Sequence, residues 1–269
     1  MRHLTPPLLL VAGLIGVTVW MTRLGTVGIY RMPGAGEVAI STLHHLQLVL
    51  AAEGLAILIG VPIGFIVSRR AFRWLGTPLM VLVNVGQTVP TLALLAIASL
   101  AIGSGFRAAV IGLFIYALLP IVRNTYAGIR SVDPAITEAA HGMGMSRLQV
   151  VRRVELPLAR PVIVAGIRTS TVVNVGTAAV AGMIGGVGLG ALITTGLAVN
   201  VVEMVLQGAA PAAALAIALD ALLGLVERWM TPRGLLPTGR QGPKKRRFRR
   251  ALTTPVSYTH LTLPTKRIV

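Results

Sequence analysis

Long apolar runs separated by arginine-bearing loops constrain this chain more than any other feature. A run of about 18 or more apolar residues reads as a helix crossing a bilayer, because a helix satisfies its own backbone hydrogen bonds in hydrocarbon. Six spans are expected, over about 8–21, 45–67, 78–102, 108–122, 161–184 and 209–226. The first is short and carries no small-residue cleavage signal, so it reads as an uncleaved anchor. A hydrophobic share of 54% over 269 residues fits an all-α polytopic membrane protein and not a soluble domain of that length. Cysteine is absent, which excludes disulfides, zinc–thiolate centres and cysteine nucleophiles.

A net charge of +17 would point to nucleic acid in a soluble protein. Here the charges alternate from loop to loop. One set of loops holds Arg69, Arg70 and Arg73, then Arg123, Arg130, Arg147, Arg152, Arg153 and Arg160, then Arg228 and the KKRRFRR cluster at 244–250. The intervening loops hold only Arg23, Arg31 and Arg107. The positive-inside rule then places both termini and the 123–160 segment in the cytoplasm. The basic tail is expected to meet anionic lipid head groups, and no nucleic-acid partner is needed.

Four regions follow. Residues 1–42 form an anchor helix and the first extracytoplasmic loop, and 43–232 form the transmembrane domain. Residues 233–255 are the basic cytoplasmic tail. In 256–269 the string VSYTHLTLPT reads as a translated sequencing-library adapter, so this stretch is set aside as a non-native tail. None of these regions has room for an ATPase or a ligand-binding domain.

Polar groups inside the spans are candidates for function. Asn84, Gln87, Thr88, Asn174 and Thr177, with Pro90 beside them, could line a solute path or make interhelical hydrogen bonds. Glu53 and Asp220 also fall within spans. An ionised acid there costs ~2.5–3.5 kcal/mol, so each must be paired, protonated, near an interface or facing a cavity. In-span glycines and prolines (Gly60, Pro62, Gly64, Gly86, Gly176 and Gly182) indicate either close packing or moving parts. His44 and His45 read as interfacial, at the entrance to the second span. No histidine has metal-ligand spacing with a partner acid, so no metal centre or catalytic cluster is expected. The glycine-rich run 185–190 lacks a following Lys-Ser/Thr and reads as a turn near the extracytoplasmic end of the fifth span, not a nucleotide loop.

The most informative stretch is 133–157, DPAITEAAHGMGMSRLQVVRRVELP. Asp133 is an N-cap and Pro134 the first helical residue. A short helix follows through Glu138, Ala139 and Ala140, and Gly142 and Gly144 stop it. Ser146 caps a second helix, with Gln149 completing a capping box. Leu156-Pro157 is expected to end that helix. Two short helices joined by a Gly-Met-Gly-Met turn would thus lie between the fourth and fifth spans. A DNA-binding helix-turn-helix would share the pattern, but flanking spans would hold it against the bilayer.

The spacing of this stretch resembles the EAA signature of ABC importer permeases: E-A-A, three residues, G, nine residues, I, one residue, L-P. Only Val154 departs, standing where that pattern has Ile. The resemblance implies a coupling element that docks on a separate cytoplasmic ABC ATPase through Glu138, Ala139, Ala140, Gly142, Met143, Gly144, Met145, Leu156 and Pro157. ATP would be used by that partner, so the chain itself is expected to bind no cofactor and to be no enzyme. The residue types suit the role. The alanines permit close approach, Gly144 a sharp turn, and the methionines a flexible apolar contact.

Further stretches are similar to the osmoprotectant permeases within that family: GQTVPTLALLAIA (86–98), EAAHGMGMS (138–146), RRVELPLARPVIVAGIRTS (152–170) and NVGTAAVAGMIGGVGLG (174–190). They imply a MetI-like all-helical fold and a cargo of glycine betaine, choline or carnitine. They also imply a separate extracytoplasmic substrate-binding protein, and a homodimer or a pairing with a sister permease. A permease for another small solute, such as an amino acid, and a non-ABC channel remain as alternatives. Aromatic residues make up only 4% of the chain, so recognition of a quaternary ammonium is expected mainly on the binding protein.

Overall fold

A computed structural model describes residues 5–230. The basic tail at 233–255 and the adapter-like tail at 256–269 lie outside the described residues. Helix α1 (Thr5–Met21) leads through a short hairpin, β1 (Thr26–Val27) and β2 (Tyr30–Arg31), into α2 (Ala35–Val67). There follow α3 (Arg73–Gly86), α4 (Thr91–Ile102), α5 (Phe106–Arg130), α6 (Pro134–Gly142), α7 (Arg147–Val150), α8 (Leu156–Ala178), α9 (Leu189–Ala198) and α10 (Val202–Met230). Helices α2, α5, α10 and the continuous stretch Arg147–Ala178 are each long and apolar enough to cross a membrane.

The bundle is built around α2, α5 and α8, whose apolar faces pack through three successive clusters. Leu48, Val49, Ala52, Leu113 and Val175 form one buried cluster. Ala56, Ala117 and Ile121 form the next, and Ile129, Ala159 and Ile163 a third. Lipid gives helices no hydrophobic reason to associate, so contact depends on small residues that let backbones approach. Gly64 and Gly166 serve in this way. A Cβ on Gly64 would sit 2.7 Å from the carbonyl oxygen of Val122, and one on Gly166 2.4 Å from Cβ of Asn124. Close packing therefore accounts for Gly64, and for Gly60, which abuts Ile121. Gly176 faces open space.

Four sequence expectations need correcting. The third span, expected as one helix over 78–102, is two helices bent by 95°. Pro90 cannot donate a backbone hydrogen bond and disfavours helix in the residue before it, so α3 closes at Gly86 and α4 starts afresh at Thr91. The second span begins at Ala35 rather than near 45, because the amide of Gly34 donates to the Glu37 carboxylate at 2.7 Å and starts the helix earlier. His45 is consequently inside the bundle, not interfacial. It is fully buried, and its Nε2 donates to the carbonyl of Val175 at 3.1 Å.

The stretch 189–198, which no expected span covers, is helix α9. It packs on α10 through Gly196 and Gly208, where added Cβ atoms would meet Val205 and Ile193. The glycine-rich run at 185–188 is the turn that leads into it, with Gly185 and Gly188 at positive φ. Finally, Leu156-Pro157 does not end a helix. A π-turn at 151–155, closed by the Leu156 amide on the Val151 carbonyl, carries the chain from α7 into α8. The wider turn accommodates a proline that has no N–H and would crowd an ordinary α-turn.

Candidate functional site: a pocket and a helical hairpin

Midway along α2, Glu53 is almost wholly buried. Its Oε2 accepts from Ser170 Oγ at 3.1 Å and from Asn174 Nδ2 at 2.9 Å, both on α8. Ser170 also lies 3.2 Å from the carbonyl of Ala117 on α5, so one knot joins the three core helices. Ser170 and Asn174 are four residues apart and share one helical face, which is why both reach the same carboxylate. Asp220 meets its requirement differently. Arg168 on α8 grips it with two hydrogen bonds of 2.6 and 2.7 Å and reaches Glu227 at 3.1 Å.

A pocket of about 170 Å³ opens beside the knot, lined by Gln87, Tyr116, Ala117, Pro120, Thr169, Ser170 and Val173. Gln87 comes from the α3–α4 break, Tyr116 from α5 and Ser170 from α8. A groove of about 360 Å³ continues from it along α8 through the shared Thr169 and Val173 to Arg168, Asp220 and Glu227. The walls are mostly apolar and carry a few polar groups, from Gln87, Tyr116, Thr169 and Ser170 in the pocket and from Arg168, Asp220 and Glu227 in the groove. Among the described residues no group of three or more His, Cys, Asp or Glu could hold a metal.

The six residues expected on a path divide. Gln87 lines the pocket. Asn174 is fully buried and spends its amide on Glu53, the interhelical alternative. Thr177 bonds back to the carbonyls of Val173 and Asn174 within α8, and Thr88 to that of Val85 at 2.7 Å. Asn84 and Pro90 are exposed. Sequence reasoning missed Tyr116, Ser170 and Arg168. The last had a usable signal, since an arginine inside an apolar span needs an acid, and Asp220 was the acid in need of a partner.

The second element is the hairpin α6–α7. Asp133 accepts from the Ala135 amide at 2.9 Å, and Pro134 is the first helical residue. At the other end the Met145 amide bonds to the Ala140 carbonyl and the Gly144 amide to that of His141. This is a Schellman ending, and it places Gly144 at φ +83, a conformation that favours glycine. Ser146 and Gln149 then form a reciprocal capping box. Glu138, Ala139, Gly142, Met143 and Gly144 are exposed on this hairpin and Met145 half-buried, while Ala140 packs inward. Met143, at 72% exposure, presents an apolar side chain outward. Leu156 and Pro157 are half-buried at its root, on α8.

Residues 60–232 match the family described as binding-protein-dependent transport system inner membrane component. The choline transport system permease protein OpuBB of Bacillus subtilis is 44% identical over 206 residues, covering 77% of this chain and 94% of that protein. The osmoprotectant import permease protein OsmW of Salmonella typhimurium is 41% identical over 211 residues, covering 77% and 97%. Among solved structures, an inward-facing MetNI methionine ABC transporter matches with a TM-score of 0.63 at 21% identity, covering 72% of this chain and 97% of that one. That likeness shows the MetI-like permease fold.

Proposed function

The chain belongs to the family of binding-protein-dependent transport system inner membrane components, and we propose that it is the permease subunit of an ATP-driven importer of quaternary-ammonium osmoprotectants. The capped hairpin carries the reading. It presents Glu138, Ala139, Met143 and Gly144 outward, while its two ends run directly into core helices α5 and α8. A docked ATPase would therefore push on the same bodies that wall the pocket. The names of the relatives support glycine betaine, choline or carnitine as cargo. Tyr116 lines the pocket, and an aromatic ring is the side-chain type that attracts a cationic headgroup.

The partners are then a cytoplasmic ATPase that hydrolyses ATP, an extracytoplasmic binding protein, and a second permease subunit, identical or sister. The alternation of arginines supports a cytoplasmic location for both termini and for the hairpin.

The test is uptake of labelled choline and glycine betaine in cells lacking their own systems, supplied with this chain, its ATPase and its binding protein. Uptake is expected with the wild type and lost with Gly144→Val, because a β-branched residue at φ +83 is strained by about 1–3 kcal/mol. The variant should still reach the membrane, since nothing lies within 4 Å of the position. Uptake of neither solute by the wild type overturns the cargo. Equal uptake by the variant overturns the role of the hairpin.

A further inference from the structure

The hairpin grows from α5 and α8, yet its root is also fastened to α2. Glu155 lies in the π-turn between α7 and α8, and its Oε2 is 2.6 Å from Nη1 of Arg69, just beyond the end of α2. The Arg69 side chain is only 28% exposed and that of Glu155 16%. The guanidinium carbon of Arg69 sits 3.9 Å from the centre of the Phe65 ring, one turn back on α2. Stacking of this kind fixes the plane of the guanidinium as well as its charge. Ser68 donates to the Phe65 carbonyl at 2.6 Å and closes α2 beneath it. Phe65 and Leu156 then join one apolar cluster around Ile129, Ala159 and Ile163. Charge, stacking and packing converge on one joint between segments far apart in sequence.

The same two helices are joined a second time, at Glu53 with Ser170 and Asn174. At ~1.5 Å per residue, Arg69 lies about 24 Å beyond Glu53, and Glu155 about 22 Å before Ser170. Matched spacing on antiparallel helices means the two joints resist both sliding and splaying. Helices α3 and α4, bent against each other, meet the bundle mainly through α5.

We propose that the Arg69–Glu155 pair is a force-bearing tie that makes α2 follow the hairpin, so that α2 and α8 move as one lever against the α3–α4 bend. This rests on the reading that the hairpin receives an ATPase. Arg69 and Glu155 act through the hairpin and are positioning residues.

The experiment reconstitutes the full complex in liposomes and reads solute taken up per ATP hydrolysed. Arg69→Gln and Glu155→Gln should retain the ATPase on purification and still hydrolyse ATP, while transport per ATP falls about tenfold, the scale of one lost charge-assisted contact. The exchanged pair Arg69→Glu/Glu155→Arg should recover most of that loss. The chain has no cysteine, so Arg69→Cys/Glu155→Cys can be joined by a short bis-maleimide without background in this subunit. The cross-linked pair is expected to transport as the unlinked wild type does, because a tie that stays shut can be made permanent. Should the single variants fail to accumulate, the cross-link decides alone. Unchanged coupling in both single variants, or arrest by the cross-link, overturns the tie and leaves the transporter reading standing. A wild-type complex whose ATP hydrolysis ignores loaded binding protein overturns both.

Discussion

The two walls of the pocket are built on opposite principles. The α2–α5–α8 wall is held by glycine-mediated backbone contact, a buried carboxylate with two donors, and an ion pair at the root of the hairpin. The α3–α4 wall is bent through 95° and shows most of its large side chains outward, Trp74 at 73% and Leu100 at 88% among them. In a bilayer, association comes from packing and polar contact rather than from expulsion of water. The first wall has many such contacts, whereas the second leans on α5 through Leu95 against Gly112 and Gly86 against Leu119. Gln87 belongs to the second wall, while Tyr116 and Ser170 belong to the first, so the pocket lies on the seam between them. A displacement of one wall relative to the other would change the pocket before it disturbed either wall.

The comparison breaks most readily at Gly166. Replacing it with Leu forces a side chain where even a Cβ would lie 2.4 Å from Asn124. Overpacking of this severity should cost about 3 kcal/mol or more and sharply reduce the protein recovered folded from membranes. Gly176→Ala on the same helix should leave recovery unchanged, because nothing lies within 4 Å of it. Equal behaviour of the two variants would mean that α5 and α8 are not in the contact described.

A smaller effect is expected at the knot. Asn174→Ala removes one of the two donors to Glu53 and should cost about 1–3 kcal/mol, read as a lower thermal midpoint in detergent. In a Glu53→Met background the same change should cost less than about 1 kcal/mol, since no buried carboxylate then lacks a donor. Equal costs in the two backgrounds would show that Asn174 contributes packing and not a hydrogen bond to Glu53.

The hairpin was the most legible part of the molecule, because caps are local chemistry. Asp133, Pro134, Ser146, Gln149 and Gly144 act within a few residues of themselves, and the structure finds each of them at its terminus. The spans were legible as apolar runs but not in their ends or breaks. A run of apolar residues reports burial in lipid, and it does not report whether Gly86 and Pro90 bend the chain between two equally apolar helices. Helix α9 was missed for the same reason, since ten residues fall short of a span and carry no cap. The pocket was least legible. Ser170 reads as an ordinary helical serine until α2 brings Glu53 to it from 117 residues away. Arg69 and Glu155 were likewise unremarkable alone, one arginine among many in its loops and one acid in a basic stretch. Such pairs are made by tertiary packing, and spacing along the chain does not encode them.

The smallest expected effect separates the seam from its surroundings. Gln87 and Asn84 lie one turn apart on the same segment, but Gln87 lines the pocket and Asn84 is exposed outside it. Neither holds the fold together, so Gln87→Ala and Asn84→Ala should each change stability by less than about 0.5 kcal/mol. Their effects on uptake should differ. A lost polar contact in the pocket is worth about 0.5–1.5 kcal/mol, so Gln87→Ala should slow uptake roughly two- to tenfold at unchanged protein level, while Asn84→Ala transports normally. The reverse result would move the path to the outer face of α3, away from Tyr116 and Ser170. Slowing by both would make the whole amphipathic face of α3 the second wall, with the break at Pro90 serving only to bring that face against α5.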